Sequence, residues 1–170
     1  MIDIEQLKGW FAGRAPSAWY VGPPEVRSDR EEILVVGRLA DVELGEGATP
    51  EALAEARLGR IKQLGEDTRE ERMRIAREGQ RRFGRVVSWG AECGGVRQFF
   101  TTLSLPAMTR LRLLERELLD ALVDAGVARS RSDALAWCVR LVAKHQGEWL
   151  REVRDAVAHV DRVRRSSPLN

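Results

Sequence analysis

The stretch between Gly47 and Gly84 sets the terms for the N-terminal two thirds of this chain. Thr49-Pro50 supplies a helix start: a hydroxyl that can cap the first free N–H groups, then a proline at the first helical position. From Glu51 to about Phe83 the composition stays helical, weakened only by Gly59, Gly65 and Gly79. Leu53, Ala56, Leu58, Ile61 and Leu64 recur at helical spacing, whereas Glu66 to Arg74 is almost all charged. This pattern predicts a solvated helix or a helical hairpin, bent near Gly65-Glu66-Asp67 and closed by Gly84 as C-cap. A single long helical run set among short β-branched runs defines an α+β fold class.

The flanking runs are Ile33-Leu34-Val35-Val36 before the helix and Arg85-Val86-Val87-Ser88-Trp89 after it. Trp19-Tyr20-Val21 precedes the first, across Pro23-Pro24 and a Ser28-Asp29-Arg30 turn, which predicts a two-stranded antiparallel unit. Val96 to Leu103 follows the second across Gly94-Gly95, a hairpin signal. Ile4 to Phe11 reads as a short helix stopped by Gly13 and Pro16. Residues 1–105 are therefore expected to form a small α+β domain with antiparallel hairpins and a long helix.

Composition narrows the function classes. With 44% hydrophobic and 32% charged residues, the chain is expected to fold in water rather than stay disordered. No apolar run approaches the roughly 20 residues that cross a bilayer, and Met1-Ile2-Asp3-Ile4-Glu5 lacks the basic-then-apolar pattern of a secretory signal. A cytoplasmic protein without membrane attachment is expected. Cys93 and Cys138 cannot build a disulfide framework; Cys93, beside Gly94-Gly95, reads as an exposed thiol in a turn. His145 and His159 are too far apart for a helical ligand pair, so no metal and no cofactor are expected. Trp10, Trp19, Trp89, Trp137 and Trp149 are scattered and suit a core better than a stacking platform. No residue set supports an enzyme. The 28 basic and 26 acidic residues give a formal charge of +2, and all but three of the basic residues are arginine. Bulk charge alone makes no case for nucleic acid.

The C-terminal part carries more information. Met108-Thr109-Arg110-Leu111-Arg112-Leu113 alternates, with Arg110 and Arg112 on one face and Leu111 and Leu113 on the other. Glu115 to Ala125 follows with Leu118, Leu119 and Leu122 at helical spacing and Gly126 beyond its end. Ser130-Arg131-Ser132-Asp133 then opens a second helix, with Leu135, Cys138, Val139 and Val142 inward. Helical spacing continues through Trp149, Val153, Ala156, Val157, Val160 and Val163. Such an extended amphipathic helix buries its face on the rest of the chain or on a protein partner.

Residues 107–145, with this order of short strand, helix, tight turn and Ser-Arg-Ser helix start, resemble the ribbon-helix-helix family of DNA-binding proteins. The resemblance implies a module over residues 106–170, extended by its last helix, that pairs one strand from each of two chains in a homodimer or higher homo-oligomer. The two-stranded ribbon would enter the major groove of double-stranded DNA. Arg110, Arg112 and Met108 would then read base edges, while Ser130, Arg131 and Ser132 contact phosphate. Leu111, Leu113, Leu118, Leu122, Leu135 and Val139 would form the dimer core. The function so implied is a dimeric, sequence-specific DNA-binding protein, a transcriptional regulator or antitoxin-like factor. Two alternatives stay open. Pro106 permits one long helix from Ala107 to Ala125, on which Arg110 and Arg112 are ordinary surface charges. The last helices also suit a non-enzymatic interaction or oligomerisation module that never touches DNA.

Overall fold

The computed structural model describes residues 3–165, so Met1 and Ile2, part of the leader reading, lie outside the described residues. The chain divides into two compact units, residues 1–106 and 107–170. The first begins with α1 (Ile4–Arg14), as the sequence predicts, capped by Asp3, whose carboxylate accepts from the Glu5 N–H at 3.1 Å. Strands β1 (Glu25–Ser28) and β2 (Glu32–Leu39) follow, then α2 (Pro50–Asp67), α3 (Arg69–Phe83), β3 (Val86–Cys93) and β4 (Val96–Phe99).

The four strands form one sheet in the order β1-β2-β3-β4. β1 pairs antiparallel with β2, and β3 with β4, but the central pair β2–β3 is parallel, with Ile33 opposite Val87 and Leu39 opposite Cys93. A parallel pair needs a crossover, and α2–α3 supplies it. Trp19-Tyr20-Val21 is not the strand expected: β1 is Glu25–Ser28, and in the earlier segment the Trp19 N–H donates to the Pro16 carbonyl at 3.1 Å and the Val21 N–H to the Arg38 carbonyl at 2.7 Å. The β3–β4 hairpin turns where predicted. Gly94 and Gly95 both have positive φ, +54° and +85°, the left-handed pair that matches strand twist in a two-residue turn.

Equivalent positions of β2 and β3 share a face, and Ile33, Val35, Val87 and Trp89 join Leu7, Phe11, Val26 and Ile75 in the main core. The Phe11 and Trp89 rings meet edge to face at 5.8 Å. A second cluster, Leu39, Ile61, Ala91 and Cys93, continues this face toward the strand ends. Gly37 lies between them because the Tyr20 ring rests on it: a Cβ there would sit 1.9 Å from Tyr20 Cε1. Across the unit, Arg14 holds Glu78 with two hydrogen bonds of 2.8 Å, tying α1 to α3.

The long helical run bends at Thr68, one residue past the predicted stretch. Its hydroxyl donates to the Leu64 carbonyl at 2.5 Å, a back-bond that bends helices. Arg72 completes the joint from the next turn: Nε donates to Thr68 Oγ1 at 2.9 Å and Nη2 to the Gly65 carbonyl at 2.5 Å. The same guanidinium lies 4.4 Å from the Phe100 ring centre. Arg72 is therefore buried, not solvated with the rest of its charged run. Gly84 closes α3 as expected.

The second unit holds α4 (Leu113–Asp124), α5 (Arg131–His145) and α6 (Gly147–Arg165). Residues 107–112 form neither a paired strand nor a helix, so the single helix from Ala107 is excluded and no ribbon is seen in this chain. Ser130 caps α5 as predicted, accepting from the Asp133 N–H at 3.2 Å. The extended last helix is in fact two: α5 ends at His145 and α6 restarts at Gly147.

Candidate functional site

In the second unit the helix faces are only partly covered. Leu119, Ala128 and Ala134 are buried, with Leu111, Leu122, Val123, Leu135 and Cys138 packed half-buried around them. Of the six residues expected in a dimer core, Leu111, Leu122 and Leu135 thus belong to the chain's own core. Leu113, Leu118 and Val139 do not; they stand exposed on its surface. Leu114 and Leu118, one turn apart on α4, make a stripe beside the buried face, and Leu114 is 77% exposed. Val139 (63% exposed) and Val142 do the same on α5. Sequence reasoning placed Val142 inward and did not single out Leu114 as a surface residue.

The residues expected to touch DNA are dispersed. Met108 is almost wholly exposed, and Arg110 and Arg112 are exposed as well, with no carboxylate paired to either guanidinium among the described residues. Arg112 precedes α4, and its backbone N–H donates to the Glu115 carboxylate. Ser130 is engaged as a cap, and Ser132 is exposed in the first turn of α5. Arg131 forks onto Asp120 of α4 with two hydrogen bonds of 2.6 Å, which holds the Asp120 carboxyl below its usual range. That pair links the two helices, and no linear spacing announced it.

The first unit offers two polar arrangements. At the carboxyl ends of β2 and β3, Arg57 holds Asp41 with hydrogen bonds of 2.7 and 2.5 Å, and the guanidinium keeps the Asp41 carboxyl down at about 2. Arg60 Nη1 donates to the Ala40 and Asp41 carbonyls at 2.9 Å each, so the loop after β2 is fastened to α2. Cys93 is buried beneath, not exposed in a turn as expected; its thiol donates to the Ala40 carbonyl at 3.4 Å, and burial pushes its titration up. Among the described residues the buried Tyr20 hydroxyl and Trp89 Nε1 have no hydrogen-bond partner, and burial pushes the Tyr20 phenol up to about 12. Among the described residues no cluster of three or more His, Cys, Asp or Glu is arranged to hold a metal ion. None of their helices is long and apolar enough to cross a membrane.

These features define a two-part α+β protein, a mixed four-stranded sheet unit followed by a helical unit. Residues 5–99 match the Rv1265-like protein N-terminal domain and residues 112–164 the Mb1296 C-terminal domain, and the chain belongs to this Rv1265-like family. Mb1296 of Mycobacterium bovis and Rv1265 of Mycobacterium tuberculosis H37Rv are each 53% identical to it over 167 residues, spanning 98% of this chain and 72% of theirs. No solved structure matches. The ribbon-helix-helix resemblance is overturned: the segment that carried it matches the Mb1296 C-terminal domain, and no ribbon-helix-helix family is found. The family is bacterial.

Proposed function

We propose that this protein is a non-enzymatic cytoplasmic homodimer whose C-terminal unit joins two chains through α4 and α5. One observation carries the reading: three small or medium side chains are buried in that unit, while Leu113, Leu114, Leu118, Val127, Val139 and Val142 stay exposed. Each such side chain contributes roughly 1.5–3 kcal/mol when fully covered. A unit this small has a marginal core of its own, and contiguous exposed apolar patches mark association sites. A second copy suits the patch because a two-fold interface sets the same face against itself. The test is mass by light scattering on the full chain, for the wild type and for L118E combined with V139E. A dimer that the paired substitution splits supports the proposal; a wild-type monomer at micromolar concentration removes it.

A second reading, duplex DNA binding by that dimer, is favoured by Arg110 and Arg112, which are exposed and without carboxylate partners among the described residues. Two arginines from each chain would set four guanidinium groups on one assembly, and arginine favours phosphate and guanine. Arg131 contributes less to this than expected from sequence, since Asp120 already holds its fork. Titrating the wild type and the R110A/R112A variant against duplex DNA at rising salt decides it. Equal binding by the two proteins, or none by either, removes the reading.

A further inference from the structure

The sheet face turned away from α1, α2 and α3 holds a cleft that the core does not use. Alternation along β2 decides what lines it: Ile33, Val35 and Leu39 point into the core, so Val36 and Arg38 point to the opposite face. Val36 lies across from Glu25 of β1, and Arg38 across from Glu92 of β3, which in turn lies across from Arg97 of β4. These five residues, with Pro23 and Pro24, line a cavity of about 310 Å³, at the small end for ligand pockets. Its proline wall is fixed in place. Both prolines have a locked φ, and the Val21 N–H just before them donates to the Arg38 carbonyl at 2.7 Å.

Charge is unbalanced around this cleft. Arg97 takes both carboxylates, its Nη2 donating to Glu25 at 2.9 Å and to Glu92 at 2.6 Å. Arg27, on the same face of β1, also donates to Glu25. Three guanidinium groups therefore meet two carboxylates, and the one left over is Arg38. Glu92, directly opposite, would ordinarily be its partner. Yet the exposed Arg38 side chain forms no hydrogen bond or ion pair among the described residues.

We propose that this cleft binds a small monocarboxylate, with Arg38 holding the carboxylate and Pro23, Pro24 and Val36 supplying the wall for an apolar body. A planar guanidinium fork matches a carboxylate with two parallel hydrogen bonds. One spare positive charge matches one negative charge. A phosphate monoester, close to a dianion at neutral pH, would bring its second charge against Glu25 and Glu92. The cleft lies wholly in the first unit, so it works in a monomer as in a dimer.

Benzoate is the probe, with benzamide as its neutral counterpart and phenyl phosphate as the dianion. Each is titrated to about 20 mM into the isotope-labelled full chain at constant ionic strength, while backbone amide shifts are followed by NMR. The expected result is a saturable shift at Val36, Arg38 and Glu92, with benzoate held at least about fivefold more tightly than either of the others. R38Q keeps the amide spectrum elsewhere, because the side chain it replaces is bonded to nothing in the chain, and binds benzoate at least about fivefold more weakly. E92Q removes a competing negative charge and binds it more tightly. No saturable benzoate shift, shifts only at other residues, benzamide bound as tightly, or R38Q binding like wild type each overturns the site. Phenyl phosphate bound as tightly as benzoate overturns the choice of a monocarboxylate, and E92Q binding no more tightly than wild type refutes the charge imbalance as its cause.

Discussion

Replacing Arg72 by methionine removes the fastening of the bend between α2 and α3 while keeping much of the side chain's apolar bulk. Arg72 is only 5% exposed, and among the described residues its guanidinium has no carboxylate partner. It bonds Thr68 Oγ1 and the Gly65 carbonyl and lies over the Phe100 ring. Two effects compete. Burying an unpaired charge is costly, and methionine relieves that cost. Against it stand two hydrogen bonds from a charged donor, about 1.5–3 kcal/mol each, and a cation–π contact of about 1–2 kcal/mol. The Gly65 carbonyl, left at a bend where the helix ladder is interrupted, decides the sign, because an orphaned acceptor keeps its full desolvation penalty. The expected outcome is a loss of about 2–4 kcal/mol in the R72M chain, read from the urea midpoint followed by tryptophan fluorescence at unchanged slope. R72K keeps the charge but not the fork, reaches one acceptor instead of two, and recovers less than half of the loss. An R72M protein as stable as wild type, or more so, would refute the reasoning and place the cause of the bend in Thr68 alone.

Tyr20 is the sole tyrosine in the chain, so tyrosinate absorbance reports it alone. Its phenol, raised to about 12 by burial, favours the folded state below pH 10, and that stability is lost as pH climbs toward 12. The wild type should show no tyrosinate near pH 10 while folded, and Y20F should lose this alkaline limb. Y20F should also hold or gain about 1 kcal/mol at neutral pH, because the buried hydroxyl it deletes has no partner among the described residues. Asp41 gives the opposite dependence. Its carboxyl is lowered to about 2 by Arg57, so its contribution is present above pH 4 and disappears as pH falls through 2. D41N should be less stable than wild type at neutral pH, with the two acid-unfolding curves converging near pH 2; parallel curves down to that pH would contradict the assignment.

Much of the local structure was legible because local chemistry causes it. Thr49 and Ser130 cap helices with their own hydroxyls, Gly84 ends one, and Gly94-Gly95 can turn a hairpin without help from distant residues. What escaped the sequence depends on partners far along the chain. β1 has one buried residue, Val26, and no run of alternation to announce it. The parallel match of β2 with β3 is a choice among strands that look alike in sequence. Arg72 sits in a run of surface charges, and Phe100, distant in sequence, lies against its guanidinium. The same limit explains the false family resemblance: capped helices joined by a tight turn recur across unrelated proteins, and Leu113, Leu118 and Val139 fit either setting. For the candidate surface, the apolar residues of α4 to α6 were visible in the sequence, but which of them their own chain would cover was not.

The central parallel pair also governs how this protein is made. On the ribosome β1 and β2 emerge first and can close as a hairpin, but the other side of β2 has no mate until α2, α3 and β3 have been synthesised. Throughout that interval Ile33-Leu34-Val35-Val36 presents an unsatisfied backbone edge rich in β-branched residues, the kind of surface that nucleates aggregation. Fragments ending before Val86 keep that edge open for good, and they should precipitate where the longer chain stays dispersed.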